Sequence, residues 1–122
     1  MSKKIRLGIS VGDINGIGME VIIKTFKDNR MLDLCTPIVY GSSKVSKFHR
    51  KALQINDFSF NIIKSAKDAN VKKANIIECW KEEVEITLGK ATDIGGKYAL
   101  ASLEAATEDL KNGDIDVLVT AP

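Results

Sequence analysis

A chain of 122 residues is one domain's worth of polypeptide, long enough to bury a real core. Its 44% hydrophobic and 28% charged residues are ordinary for a soluble globular protein, and 18 basic against 16 acidic side chains give a net charge of +2, too even a balance to argue for nucleic acid. No stretch approaches a membrane-spanning helix, no long apolar run follows Met-Ser-Lys-Lys as a secretory signal requires, and Cys35 and Cys79 lack metal-type spacing, so a cytoplasmic protein with buried free thiols is expected.

Ile5 to Phe26 reads as buried strand, glycine-rich turn and helix. The strand is short, apolar and β-branched, as one covered on both faces should be. The turn, Gly12-Asp13-Ile14-Asn15-Gly16-Ile17-Gly18, holds three glycines in seven residues. Such positions either sit at positive φ or pass close to another group. Val21, Ile22 and Phe26 then return at helical spacing, and Glu20 suits the positive end of the helix dipole. Successive N–H groups of a glycine turn and a helix start can hold an anion. The spacing matches neither the dinucleotide fingerprint nor the P-loop, and the plain alternative is a tight connection whose glycines only make room.

Asp28-Asn29-Arg30 ends or frays the helix. Ile38-Val39-Tyr40 is a short strand closed by Gly41-Ser42-Ser43, and either serine can cap a second helix from about Lys44 to Leu53. Strand–helix–strand–helix favours a parallel sheet with right-handed crossovers. Asp57 to Ile62 alternates polar and apolar residues and suggests a strand with one wet face. Lys64 to Lys73 reads as loop, Asn75 to Trp80 as another strand, and Val84-Glu85-Ile86 alternates briefly. This middle suggests an edge of mixed or antiparallel strands. Leu88 to Thr92 is a loop pivoting on Gly89.

Asp93 to Asn112 is the clearest helix. Ala99, Leu103, Ala106 and Leu110 make its apolar stripe, Thr92 or Asp93 caps its start, and Gly113 sits where a C′ glycine belongs. Asp116 to Thr120 reads as a buried strand. Thr120-Ala121-Pro122 stands at the carboxyl end of that strand, where ligands gather in open α/β sheets. The abrupt stop suggests the N-terminal piece of something longer.

Chemistry-bearing residues are sparse. The single histidine, His49, has basic sequence neighbours and is expected on the wet face of its helix. No Ser/His/Asp or Cys/His set can be assembled, and one histidine with two distant cysteines makes no ordinary zinc site. Asp13 is the most interesting carboxylate, although an Asx-type bond to its own backbone is its simplest role. The lysines are scattered and read as solvated surface.

The segment Ile9 to Glu20 resembles the N-terminal motif of the 4-hydroxythreonine-4-phosphate dehydrogenase family of pyridoxal phosphate biosynthesis, in which a strand runs into Gly-Asp/Glu-Pro-x-Gly-Ile-Gly-Pro-Glu. Val39-Tyr40-Gly41, Lys90-Ala91, Gly95 to Ala99, Leu103 to Ala106 and Val117 to Pro122 resemble its later segments in order. Ile14 and Met19 stand where the family usually has prolines, and neither change removes a reactive group.

The resemblance implies a three-layer α/β/α fold with a mainly parallel sheet, like isopropylmalate and isocitrate dehydrogenases. It makes residues 1–122 a single N-terminal segment of a longer, two-lobed enzyme. It implies NAD-dependent oxidation of 4-phosphohydroxythreonine followed by decarboxylation, with a divalent metal held by histidines across a homodimer. Those histidines, the His-Thr pair that grips the substrate and most of the NAD site match positions beyond Pro122. No catalytic, metal or cofactor-binding residue is therefore assigned to this chain, which alone is expected to be inactive and to bind neither NAD nor metal well. The substrate or phosphate candidates are Gly12, Asp13, Asn15, Gly16, Gly18 and Thr120. A homo-oligomer is expected, with partner chains covering an unpaired final strand; no nucleic acid or membrane partner is. The rival readings are a stand-alone phosphate-ligand module using the Gly12–Gly18 turn, a fragment with no ligand, and a dehydrogenase for another phosphorylated hydroxy acid.

Overall fold

The structure is a computed structural model that describes residues 4–81, 84, 86–90 and 92–122. Five strands form one sheet: β1 (Ile5–Ser10), β2 (Cys35–Gly41), β3 (Asn61–Ile63), β4 (Asn75–Glu78) and β5 (Val117–Thr120). Their order is β3-β4-β2-β1-β5, and each neighbouring pair is parallel. Parallel neighbours need crossovers, and the helices supply most of them: α1 (Gly18–Phe26) and α2 (Met31–Leu34) join β1 to β2, α3 (Ser43–Ala52) follows β2, and α4 (Asp93–Lys111) joins β4 to β5.

Two cores lie on opposite faces of the sheet. Ile22, Ile23 and Phe26 of α1 and Val45 of α3 pack with Ile9, Val39 and Ile76 on one face. Ala106 of α4 packs with Ile38, Tyr40 and Ile115 on the other. The fold is therefore α/β in three layers, as expected. Among the described residues no helix is long and apolar enough to cross a membrane.

Several expectations are corrected. The middle of the chain adds parallel strands, not a mixed or antiparallel edge, because the segment between β3 and β4, with its 3-10 turn Ala66–Asp68, carries the chain back to its starting end. The strand expected over Asp57 to Ile62 shrinks to β3. The alternation upstream comes from Phe58 and Phe60, which pack edge to face at 5.0 Å and plug the first core without pairing. Val84 and Ile86 are not in a strand, and Glu85 and Ala91 lie outside the described residues. In α1, Met19 and Ile23 face inward and Val21 stays 43% exposed.

β5 is not buried. It pairs only with β1 at the sheet's edge, and Val117 and Val119 remain 43% and 47% exposed. The inward face of α4 is also rotated from the expected stripe: Gly95, Tyr98, Ser102 and Ala106 face in, while Leu103 and Leu110 are exposed. Polar bonds select that rotation. The buried Ser102 hydroxyl accepts from the Val11 N–H at 2.9 Å and donates to the Tyr40 carbonyl, and the Tyr40 hydroxyl donates to Asp109 at 2.6 Å. A helix face of small residues lies close enough to a sheet to make such bonds.

Both cysteines are free, Cys35 buried and Cys79 only half-buried. Burial pushes the Cys79 thiol up from 9.0 to about 12, with the charges of Asp109 and Glu78 adding to the effect. Tyr40 is pushed the same way, first by burial and then by its bond to Asp109. Between 9.0 and about 12 the unfolded thiol ionises while the folded one keeps its proton, so stability is full below that window and falls as pH rises through it. Urea midpoints should drop between about pH 9 and pH 11, and Cys79→Ala should lessen the drop without abolishing it, because Cys35 and Tyr40 are raised in the same direction. A flat profile in the unsubstituted chain would refute this assignment.

Candidate functional site

β1 is flanked by β2 on one side and β5 on the other. The chain leaves β1 toward β2 and reaches β5 only after completing the β2–β4 side. The carboxyl ends of β1 and β5 thus border the topological switch point, the place where open α/β sheets hold ligands. The Gly12–Gly18 turn and the Thr120–Pro122 exit meet there, and the Ala121 N–H donates to the Ser10 carbonyl at 3.0 Å.

The two possible reasons for glycine separate cleanly. Among the described residues the glycines at positive φ are Gly89 and Gly113, so the turn glycines need no left-handed backbone. Close approach is what Gly12 and Gly18 provide. A Cβ on Gly12 would lie 2.2 Å from the backbone C and O of Pro122, and one on Gly18 would lie 2.5 Å from that same O. Gly16 is looser, with Asp13 O at 3.4 Å as the nearest atom.

Asp13 makes the local turn expected of it. Its Oδ1 accepts from the Asn15 N–H at 2.9 Å, and its carbonyl accepts from the Gly16 N–H at 2.9 Å. The same Oδ1 faces Gly95 in the first turn of α4, where a Cβ would approach it to 2.5 Å. A carboxylate there meets the positive end of the helix dipole.

Asn15 is 2% exposed and its amide is committed inside the protein. Nδ2 donates to Thr92 Oγ1 at 3.0 Å, and Oδ1 accepts from the Thr87 N–H at 2.8 Å. Its carbonyl accepts from the Gly89 N–H at 2.9 Å, and Thr92 Oγ1 also caps α4 by accepting from the Gly95 N–H at 3.0 Å. One buried side chain thus ties the glycine turn, the 87–92 segment and the start of α4 together. Thr92 was legible as one of two possible caps and Gly89 as the pivot of its loop, which φ +78° bears out. The bonds of Thr87, Gly89 and Thr92 to Asn15 were not.

Thr120 is exposed at the end of β5, its Cα beside that of Ser10. Helix α1 follows Ile17, which makes no side-chain cap bond, so the N–H groups of its first turn have no side-chain cap. His49 is corrected: it is 4% exposed, with Nε2 2.8 Å from the Ile14 carbonyl. Helix α3 packs on α1 and buries Val45, Ser46 and His49, while its lysines stay exposed. Among the described residues, no three His, Cys, Asp or Glu side chains come together as a metal-holding set.

The family model of the pyridoxal phosphate biosynthetic protein PdxA matches residues 33–122. A 4-hydroxythreonine-4-phosphate dehydrogenase of Bacteroides thetaiotaomicron is 50% identical over 119 residues, covering 98% of this chain and 32% of the relative. A relative in Oceanobacillus iheyensis, whose name proposes D-threonate 4-phosphate dehydrogenase activity, is 32% identical over 127 residues, covering 100% of this chain and 37% of its own. The crystal structure of a 4-hydroxythreonine-4-phosphate dehydrogenase from Burkholderia phymatum matches with a TM-score of 0.88 at 25% identity, over 99% of this chain and 37% of that one. The chain spans about a third of the length of the relatives it matches.

Proposed function

The chain belongs to the family of the pyridoxal phosphate biosynthetic protein PdxA, and on that footing we propose that it is the N-terminal part of an NAD-dependent 4-hydroxythreonine-4-phosphate dehydrogenase. The observation that carries this reading is 50% identity to a protein of that name across nearly the whole chain. The segment supplies one wall of the crevice. The uncapped first turn of α1, with those N–H groups of the Gly12–Gly18 turn that Asp13 does not take, offers backbone donors to the substrate's phosphate. Gly12 and Gly18 let the Thr120–Pro122 exit pack against that wall, Gly16 leaves it without a side chain, Asp13 and Asn15 hold its shape, and Thr120 borders it from β5.

NAD as hydride acceptor and a divalent metal as Lewis acid supply the chemistry of such a reaction when bound. On this reading both the metal and most of the nicotinamide site belong to the rest of the protein. By itself the segment is inactive. A cytoplasmic homo-oligomer fits the same reading, with a partner chain covering part of the exposed apolar surface.

The rival substrate, D-threonate 4-phosphate, is likewise a phosphorylated hydroxy acid, and the higher identity to the 4-hydroxythreonine-4-phosphate enzyme favours the latter. The test is NADH formation by the full-length protein with each substrate, alongside the 122-residue chain. The full-length protein should prefer 4-phosphohydroxythreonine, and the short chain should form no NADH. A folded full-length protein inactive on both substrates would overturn the reading. Saturable phosphate-ester binding by the short chain, lost in a folded Gly16→Val variant, would then favour a binding module.

A further inference from the structure

We propose that His49 is a positioning residue that sets the orientation of the Ile14–Asn15 peptide, and with it the shape of the substrate-facing turn. This rests on the reading that the Gly12–Gly18 turn meets the phosphorylated substrate. Ile14 O and Asn15 N belong to one peptide plane, and each end of that plane is held by a side chain from a different place. His49 Nε2 stands 2.8 Å from the Ile14 carbonyl, and Asp13 Oδ1 accepts from the Asn15 N–H at 2.9 Å. A carbonyl oxygen only accepts, so Nε2 carries a proton and donates it to this bond.

The peptide has nowhere else to turn. Ile14 is 2% exposed and Asn15 2% exposed, so a rotated carbonyl would lose its partner without gaining water. The ring itself is held, 4% exposed and edge-on to Phe48 with centroids 5.6 Å apart. It also walls a hollow that Gly16, Ile17, Glu20, Leu88 and Gly89 share. His49 therefore links α3 to the face of the turn and not only to the core beneath it. Rotation of this one peptide would redirect the Asn15 amide, which ties down Thr87 and Thr92, and the Gly16 N–H that closes the turn.

The test compares full-length protein with His49→Leu, which fills the space without a donor, and His49→Gln, whose amide nitrogen reaches about as far as Nε2. Amide exchange at Asn15 and Gly16 should quicken about tenfold in His49→Leu, the size expected for one lost hydrogen bond to a buried carbonyl. It should return most of the way in His49→Gln, while Val39 in the sheet stays unchanged. KM for the phosphorylated substrate should rise about tenfold in His49→Leu with kcat within about twofold, because the interaction lost is one of uniform binding. Equal acceleration at Val39, unchanged KM, or no recovery in a folded His49→Gln would each overturn the proposal. No turnover by the unsubstituted protein would sink the proposed function instead, and the exchange comparison would still decide the role of His49.

Discussion

Gly12→Ala should destabilise the folded chain by about 3 kcal/mol, at the upper end of overpacking effects. The new methyl would meet three backbone atoms, Pro122 C and O at 2.2 Å and Ala121 O at 2.5 Å. These atoms lie just past the β1–β5 ladder and are tied to β1 by the Ala121 N–H to Ser10 carbonyl bond, so the 121–122 backbone must move away from the glycine turn and strain that bond where the candidate site lies. Gly96→Ala is the control. Nothing lies within 4 Å of a Cβ there, and alanine in a helix interior should stabilise the chain by about 0.5–1 kcal/mol. Gly95→Ala, one residue away, should destabilise it, because the methyl would come within 2.5 Å of Asp13 Oδ1. Urea unfolding of the three variants gives the signs directly. A Gly12→Ala chain as stable as its parent would mean that the two strand ends do not meet as described.

Asn15→Leu should cost about 3 kcal/mol, since it strips partners from the Thr87 N–H and from Thr92 Oγ1 in a buried setting. The shape is nearly kept, so the loss measures hydrogen bonding more than packing. Thr92→Val should cost about 2 kcal/mol by removing both the link and the helix cap. The two changes share one contact, so the double variant should be less destabilised than the sum of the singles. Proteolysis within residues 87–92 should quicken in Asn15→Leu. Strict additivity, or unchanged cleavage, would show that Asn15 does not hold that segment.

These sites differ in how visible they were in the sequence. The turn glycines stood out, and the two reasons for having them could be named, but their choice depends on Pro122, more than a hundred residues away in the chain. Asp13 could be assigned its Asx bond because the partner is two residues away. Asn15 stood among the substrate or phosphate candidates with nothing in the sequence to name its partners. Its side chain bonds Thr87 and Thr92, more than seventy residues on in the chain. His49 was misplaced for a related reason: its sequence neighbours are basic, yet neighbours along a helix share an element without sharing a face.

What the sequence alone determined is what local chemistry determines. Short β-branched runs alternating with helical periodicity set a parallel α/β sheet. A cap for α3 at Ser42 or Ser43 and for α4 at Thr92 or Asp93 was set locally, with Ser42 and Thr92 the ones used, and Gly113 follows α4 at φ +76°. The motif order from Ile9 to Pro122 identified the family. Tertiary structure alone decided that β5 lies at an edge, that α4 turns Ser102 and not Leu103 inward, that the middle strands run parallel, and that His49 and Asn15 are buried. Each of these outcomes rests on a contact between residues far apart in the chain. Apolar periodicity marks which elements form, but the free energy of a buried bond such as Ser102 to Tyr40 depends on which elements become neighbours, and local sequence does not carry that information.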